Sequence, residues 1–161
     1  MSTRRGGIAA PDAARRERIM GDEEDDMAKV DTTIRLDVPA DKVWSLIGGW
    51  VALPDWLPGI EACASEDGGQ IRRIKTADGR TIVEELRFAD NLKRAYSYNI
   101  LAGIDAVSNY IGTLGVAEDG DGCVVTWSAE FDPVGAEDAA VAGIRNTFES
   151  GLQAIKAAFG G

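Results

Sequence analysis

The sequence predicts one α+β domain in which a seven-stranded, curved antiparallel sheet surrounds a long C-terminal helix. Three observations support this prediction. A strand and two short helical segments come first, about six further strands follow through turn sequences, and an apolar stripe marks a helix over residues 137–159. Strands joined by short turns pair antiparallel. A sheet that curls around one helix would bury the stripe, and it leaves a cavity wherever the helix does not fill the concave face.

The first 27 residues differ in composition from the rest of the chain. They are rich in arginine, then in acidic residues, and contain almost no large apolar side chains. Such a segment cannot bury enough surface to offset the entropy lost on ordering. We therefore expect residues 1–27 to be a disordered tail and residues 28–161 to form the domain. A start site assigned too far upstream would explain the tail equally well, because periodic structure begins just after Met27.

Composition restricts the classes of function. The formal net charge of −10 argues against a nucleic-acid partner and against anionic membrane surfaces. We see no membrane-spanning run and no secretory signal, so we expect a cytoplasmic protein without membrane insertion. The chain has no histidine, which removes Ser-His-Asp and Cys-His catalysis and imidazole metal sites. Cys63 and Cys123 match no metal motif and are expected to be reduced, and we expect no metal and no cofactor.

The first elements follow from alternation and from residues that end helices. Apolar side chains alternate over residues 29–38, which predicts a strand with one buried face. Pro39 and Asp41 suit the start of a short helix, and Gly48-Gly49 would end it.

The next stretch, WVALPDWLP at residues 50–58, carries two tryptophans and two prolines. The prolines exclude a regular long helix, so we expect a short helical turn. Trp50 and Trp56 then either form the rim of a cavity or plug the core.

Six further strands are expected between residues 60 and 133, separated by turn residues. The Asp78-Gly79 pair is typical of a two-residue hairpin loop. The acidic loop at residues 117–123 superficially matches a calcium loop, but it lacks the ligand spacing and the distal glutamate, so a hairpin turn explains it better.

The C-terminal helix has one continuous apolar face. Its large apolar residues are spaced by three or four, which is the period of a helix about six turns long. Gly143, Thr147 and Gly151 lie four apart beside this stripe. They either leave room for a ligand or allow close approach to the sheet. The stripe consists of Val141, Ile144, Phe148, Leu152, Ile155 and Phe159.

Six segments, taken together and in order, resemble a known superfamily. They are VPADKVWSLI, WVALPDWLP, GRTIVEEL, AYSYNI, SNYIGTLGV and VVTWSAEFDP. From about Ala28 onward the chain resembles the SRPBCC superfamily of START domains and the birch-pollen allergen, in its polyketide cyclase/dehydrase-like branch. The resemblance implies the helix-grip fold with a deep apolar cavity. Since members bind lipids, hormones or quinones, cyclise polyketides or act as regulators, it does not fix the activity.

Aromatic residues are the first candidates for the cavity wall. The resemblance implies that the segment of Trp50 and Trp56 closes one end of the cavity. Aromatic side chains that alternate along a strand share one face, so they line a pocket or pack in an ordinary core. The further candidates of this kind are Tyr96, Tyr98, Tyr110, Trp127 and Phe131 on strands, with Phe148 and Leu152 on the helix.

Glu84 is the most informative polar candidate. It alternates with Ile82, Leu86 and Phe88, which should face inward, and a carboxylate there is costly unless it is paired. It could orient a ligand hydroxyl or act as an acid or base, with Tyr98 as the second catalytic candidate. Arg73 on the preceding strand could be its ion partner. The alternatives are a purely structural pair, or a register slip that buries Glu85 instead.

Polar residues near Tyr110 are also candidates for the cavity. Alternation does not decide which phase of residues 108–116 faces inward, because Tyr110 and its partners compete with Ile111. The polar candidates are Ser108, Asn109 and Thr113.

Three hypotheses of function follow, in decreasing order of support. The first is a protein that binds a small apolar or aromatic molecule such as a lipid, a quinone or a polyketide. The second is a cyclase or dehydratase that uses Glu84 and Tyr98, which would have to converge on one substrate. The third is a protein-interaction module with a filled cavity and an exposed apolar patch. The sequence leaves the ligand and the oligomeric state open.

Overall fold

The computed structural model describes residues 27–160. The disordered tail predicted for residues 1–27 lies outside the described residues, apart from Met27. The elements are, in chain order, β1 (Ala28–Leu36), α1 (Ala40–Ile47), α2 (Leu53–Trp56), β2 (Ile60–Glu66), β3 (Ile71–Thr76), β4 (Thr81–Asp90), β5 (Ala95–Ala102), β6 (Val107–Asp119), β7 (Gly122–Pro133) and α3 (Glu137–Ala158).

The seven strands form one sheet in the order β1-β7-β6-β5-β4-β3-β2. Every neighbouring pair is antiparallel. β1 and β2 are therefore the two edge strands, and the segment that contains α1 and α2 crosses from one edge to the other. The predicted fold class is confirmed: a curved antiparallel sheet, two short helices after the first strand and a long C-terminal helix.

The long helix covers only part of the sheet. The predicted stripe is confirmed, because Ile144, Phe148, Leu152 and Ile155 are all buried. α3 packs mainly against β1 and β7. The concave face of β3, β4 and β5 is therefore free of the helix, and this gap leads to the candidate site.

The hairpin between β3 and β4 differs from the prediction. Its loop has three residues, because the N–H of Thr76 donates to the carbonyl of Arg80 (2.9 Å) and that of Gly79 donates to the carbonyl of Thr76 (3.0 Å). Gly79 has a φ of +94°, which glycine adopts without strain. A two-residue loop would place Arg73 opposite Glu84, whereas the observed register places Arg72 there.

Bulges change the inward phase of two other strands. In β4 the register shifts between Leu86 and Phe88, and Phe88, expected inside, is 47% exposed. In β6 a shift between Ser108 and Ile111 coincides with a φ of +50° at Asn109.

From Tyr110 onward, alternate residues of β6 face the core. Tyr110, Leu114 and Val116 are buried, while Ile111 is exposed, so the open question of phase is settled in favour of Tyr110. Ser108 and Asn109 are exposed and Thr113 bonds Ser97 across the sheet, outside the cavity lining.

Cys63 and Cys123 are not joined by a disulfide. Among residues 27–160, no helix is long and apolar enough to cross a bilayer.

Candidate functional site

A cavity of about 520 Å³ lies between α2, the N-terminal half of α3 and the inner face of the sheet, mainly β3 to β6. It occupies the part of the concave face that α3 leaves uncovered. Its walls are mostly apolar. Exposed residues from the loop after α2, the β3–β4 turn, the β5–β6 loop and α3 form its mouth, and they include Pro58, Ala77, Asp78, Arg80, Ala106 and Gly143.

A buried ion pair lies in the cavity wall. Arg72 is 1% exposed and Glu84 is 6% exposed, and the two residues are opposite each other on β3 and β4. Nε and Nη2 of Arg72 both donate to Oε1 of Glu84, at 2.8 and 2.6 Å. A charge this deep is tolerated only when it is paired and hydrogen-bonded. The predicted inward orientation of Glu84 is therefore confirmed.

The third guanidinium nitrogen of Arg72, Nη1, is held by other neighbours. Nη1 donates to the carbonyl oxygen of Trp50 (2.7 Å) and to the hydroxyl of Tyr96 (3.3 Å). The guanidinium lies 3.9 Å from the centre of the Trp50 ring, a cation–π contact. Trp50 and Tyr96 do not line the cavity, and their contacts hold the cation in one orientation.

Glu84 lines the cavity and retains an unused acceptor oxygen. Both contacts of Arg72 go to Oε1, and Oε2 has no hydrogen-bond partner among the described residues. Burial raises the pKa of Glu84, and the charge of Arg72 only partly offsets the rise. Glu84 is therefore a more basic carboxylate than an exposed glutamate, with one oxygen available to a ligand.

Tyr98 and Trp127 form the aromatic wall beside the ion pair. The indole Nε1 of Trp127 donates to the hydroxyl of Tyr98 (2.9 Å), and Trp127 stacks on Phe148 with 4.2 Å between ring centres. Burial raises the pKa of Tyr98 well above its ordinary value. Gly112 makes this placement possible, because a Cβ there would lie 2.6 Å from Cζ of Tyr98.

The two glycines of α3 that the sequence analysis named, Gly143 and Gly151, have different surroundings. A Cβ on Gly151 would lie 2.7 Å from the Trp127 ring and 2.9 Å from the side chain of Leu57, so this glycine allows close approach. A Cβ on Gly143 would meet nothing within 4 Å, and Gly143 lines the cavity, as does Thr147. Close approach to the sheet therefore holds for Gly151, whereas room for a ligand stays a prediction for Gly143 and Thr147.

The segment at residues 50–58 contributes to the cavity through its aliphatic residues. Leu53, Leu57 and Pro58 line the cavity. Trp56 packs against Trp127 with 5.5 Å between ring centres, and Trp50 packs edge-on against Tyr96 at 5.6 Å. The two tryptophans thus pack in the core around the cavity instead of lining it.

Five of the eleven candidates for ligand binding line the cavity. Glu84, Tyr98, Tyr110, Trp127 and Phe148 line it. The others that face inward, but do not line it, are Trp50, Trp56, Tyr96, Phe131 and Leu152.

The prediction of Arg73 as the partner of Glu84 is wrong. Its Nε donates instead to Oε2 of Glu66 (2.6 Å) on the outer face of the sheet, where both side chains are largely exposed. The three-residue loop after β3 is the reason, because it shifts the register by one residue and so turns Arg72 inward.

Sequence reasoning therefore missed Arg72. The signal that could have found it is the alternation of Arg72 with Ile74 and Thr76, all three of which are buried.

Comparison with known proteins agrees with this architecture. Residues 27–160 match the family model described as polyketide cyclase / dehydrase and lipid transport. Two solved structures, an uncharacterized protein from Bacillus thuringiensis and the protein XoxI from Bacillus cereus, are each 34% identical in sequence to this chain, with a TM-score of 0.79. Both alignments cover 82% of this chain, and they cover 98% of the first protein and 95% of the second. A START superfamily protein from Mycobacterium smegmatis is 16% identical, with a TM-score of 0.65 over 80% of this chain and 94% of its own, and shows the fold alone. No curated protein matches this chain.

Proposed function

This chain belongs to the polyketide cyclase / dehydrase and lipid transport family, and we propose that it binds a small, largely apolar molecule in its cavity. The observation that carries the proposal is the unfilled space beside Glu84, about 520 Å³ in volume. Protein interiors are close-packed and contain few voids larger than a water molecule. A space of this size falls instead in the range of small-molecule sites, which are mostly apolar with a few placed polar groups.

The composition of the wall supports an aromatic or hydrocarbon ligand. Tyr98, Tyr110, Trp127 and Phe148 supply flat apolar surface, and the buried pair of Arg72 and Glu84 supplies the polar contact. A lipid, a quinone or a polyketide-like molecule has this combination of a large apolar body and few polar groups.

The test uses the full chain and two variants at one position. Native mass spectrometry would detect a retained small molecule, and tryptophan fluorescence would follow titration with lipids, quinones and flavonoids. Gly143→Phe places a large side chain at the cavity mouth, and Gly143→Ala is the matched control, because a Cβ at this position meets nothing within 4 Å.

We expect binding to the unaltered chain and to Gly143→Ala, and binding weakened about tenfold or more in Gly143→Phe. An empty protein that responds to no member of the panel would contradict the proposal. Equal affinity of the two variants would place the ligand outside this cavity.

A second candidate is an enzyme of the cyclase or dehydratase type, with Glu84 as the general acid or base. The observation that favours it is the free Oε2 of a carboxylate whose pKa burial raises. Tyr98 lines the same cavity, although the described residues show no hydrogen bond between it and Glu84. If the protein is an enzyme, Glu84→Gln should abolish turnover of a poly-β-ketone substrate while its binding persists. Circular dichroism must show that this variant is folded, because it leaves buried Arg72 without its carboxylate.

The third hypothesis, an interaction module with a filled cavity, receives less support. The described residues leave the cavity unfilled. The exposed large apolar side chains do not line it, and they are Val51, Phe88, Leu92, Leu101, Ile111 and Val134. Cytoplasmic location and the lack of a nucleic-acid partner remain predictions from the sequence.

A further inference from the structure

We propose that the buried pair of Arg72 and Glu84 makes the cavity select uncharged ligands that carry a hydroxyl group. This inference rests on the proposed function, because it names the class of ligand that the same cavity accepts. Two features carry it: the hydrogen-bonding groups left free in the wall, and the balance of charge inside it.

The free groups suit a hydroxyl. Oε1 of Glu84 accepts both short contacts from Arg72, which leaves Oε2 as an acceptor on a residue that lines the cavity. An ionised carboxylate only accepts hydrogen bonds, so its ligand partner must be a donor.

The hydroxyl of Tyr98 offers the complementary group. It accepts from Nε1 of Trp127 at 2.9 Å, and the hydroxyl of Tyr110 beside it lines the same cavity. A hydrogen bond between the two tyrosine hydroxyls uses one of their two hydrogens and leaves the other available to donate. A ligand hydroxyl both donates and accepts, so it can donate to the carboxylate of Glu84 and accept a hydrogen bond from a tyrosine hydroxyl.

The balance of charge excludes ions. Arg72 and Glu84 together carry no net charge, and their side chains are only 2% and 8% exposed. The other charged residues that line the cavity are Asp78 and Arg80, which pair with each other at the exposed mouth.

A ligand ion beside Glu84 would therefore be uncompensated. An ammonium group would lie close to the guanidinium of Arg72, and a carboxylate would face Oε2 of Glu84. Either ion would add a net charge beside a buried pair, which is far more costly than burying a neutral hydroxyl that is hydrogen-bonded.

The test compares four ligands with one ring system, measured by calorimetry on the unaltered full chain. They are 2-naphthalenemethanol, its methyl ether, 2-naphthoate and 2-naphthylmethylammonium. They share the apolar body and differ in whether they donate a hydrogen bond and whether they carry a charge.

We expect the alcohol to bind about tenfold or more tightly than each of the other three, which is the effect of one hydrogen bond to a charged acceptor. If the ether binds as tightly as the alcohol, the carboxylate does not recognise a donor and the inference is wrong. If either ion binds as tightly as the alcohol, selection by charge balance is wrong. In both cases the cavity still binds ligands and the proposed function stands, whereas failure of all four to bind counts against both.

A double variant tests the role of the pair. Arg72→Leu with Glu84→Leu removes both charges together and so leaves neither one buried alone. We expect it to bind the alcohol and the ether with equal affinity. A retained preference for the alcohol would overturn the assignment to Glu84, and if this variant does not fold, the comparison of ligands on the unaltered chain still decides.

Discussion

Arg72 and Glu84 lie directly opposite each other on β3 and β4, and their side chains meet with 2.6 Å between Nη2 and Oε1. The pair joins the two parts of the site. Arg72 is held by Trp50 and Tyr96, and both members of the pair line the cavity. The segment between α1 and α2, the central strands and the ligand space therefore meet at one ion pair.

Breaking this pair on one side should destabilise the fold strongly. Arg72→Leu leaves the carboxylate of Glu84 buried and unpaired, and we expect a loss of about 3–5 kcal/mol in the free energy of unfolding. The double variant with Glu84→Leu should recover most of this loss. Urea denaturation of both proteins checks the prediction, and a double variant less stable than Arg72→Leu alone would contradict it.

The same substitution at two glycines of α3 should have opposite effects. Gly143→Ala should raise stability by up to about 1 kcal/mol, because alanine favours helix and its Cβ meets open space. Gly151→Ala should lower it by about 1–3 kcal/mol, because its Cβ would lie 2.7 Å from the ring of Trp127. Thermal denaturation by circular dichroism measures both, and a stabilised Gly151→Ala protein would disprove the close packing described for Trp127.

Replacing Gly112 by alanine should destabilise the protein for a steric reason. Gly112→Ala would place a Cβ 2.7 Å from the hydroxyl oxygen of Tyr98 and displace this hydroxyl, which accepts the hydrogen bond from Trp127. We expect a loss of about 1–3 kcal/mol. Gly115→Ala on the same strand is the control, since its nearest neighbour would be 3.4 Å away and its stability should hardly change. Equal unfolding midpoints of the two variants would contradict the prediction.

The tyrosines should resist ionisation as long as the protein is folded. The chain has three tyrosines, and Tyr96, Tyr98 and Tyr110 are each at most 3% exposed. Burial raises the pKa of all three above the ordinary value of 10.0.

The pH dependence of stability follows from the direction of this shift. The unfolded chain releases these protons near pH 10.0 while the folded chain holds them. The contribution of the tyrosines to stability is therefore constant below that pH and falls as the pH rises above it. Spectrophotometric titration of tyrosinate should show all three ionising together with unfolding. A tyrosine that titrates near its ordinary pKa in the folded protein would contradict the burial described here.

Local sequence patterns determined the fold, the order of its elements and the inward side of most of them. Two of these patterns depend only on the residue spacing within one element, so the sequence alone could predict them. They are the apolar stripe of Ile144, Phe148 and Leu152 on α3 and the inward face shared by Trp127 and Phe131 on β7. The inward Glu84 was found in the same way, because it occupies an apolar phase.

Tertiary structure decided the features that the spacing of residues along a single helix or strand leaves open. The identity of the ion partner depended on whether the loop at Asp78 and Gly79 has two residues or three, and one residue of register exchanges the two faces of a strand. The cavity exists because α3 packs toward one edge of the sheet, and the tryptophans at residues 50 and 56 border it without lining it. These are relations between elements distant in the sequence, and packing fixes them only when all of the elements meet.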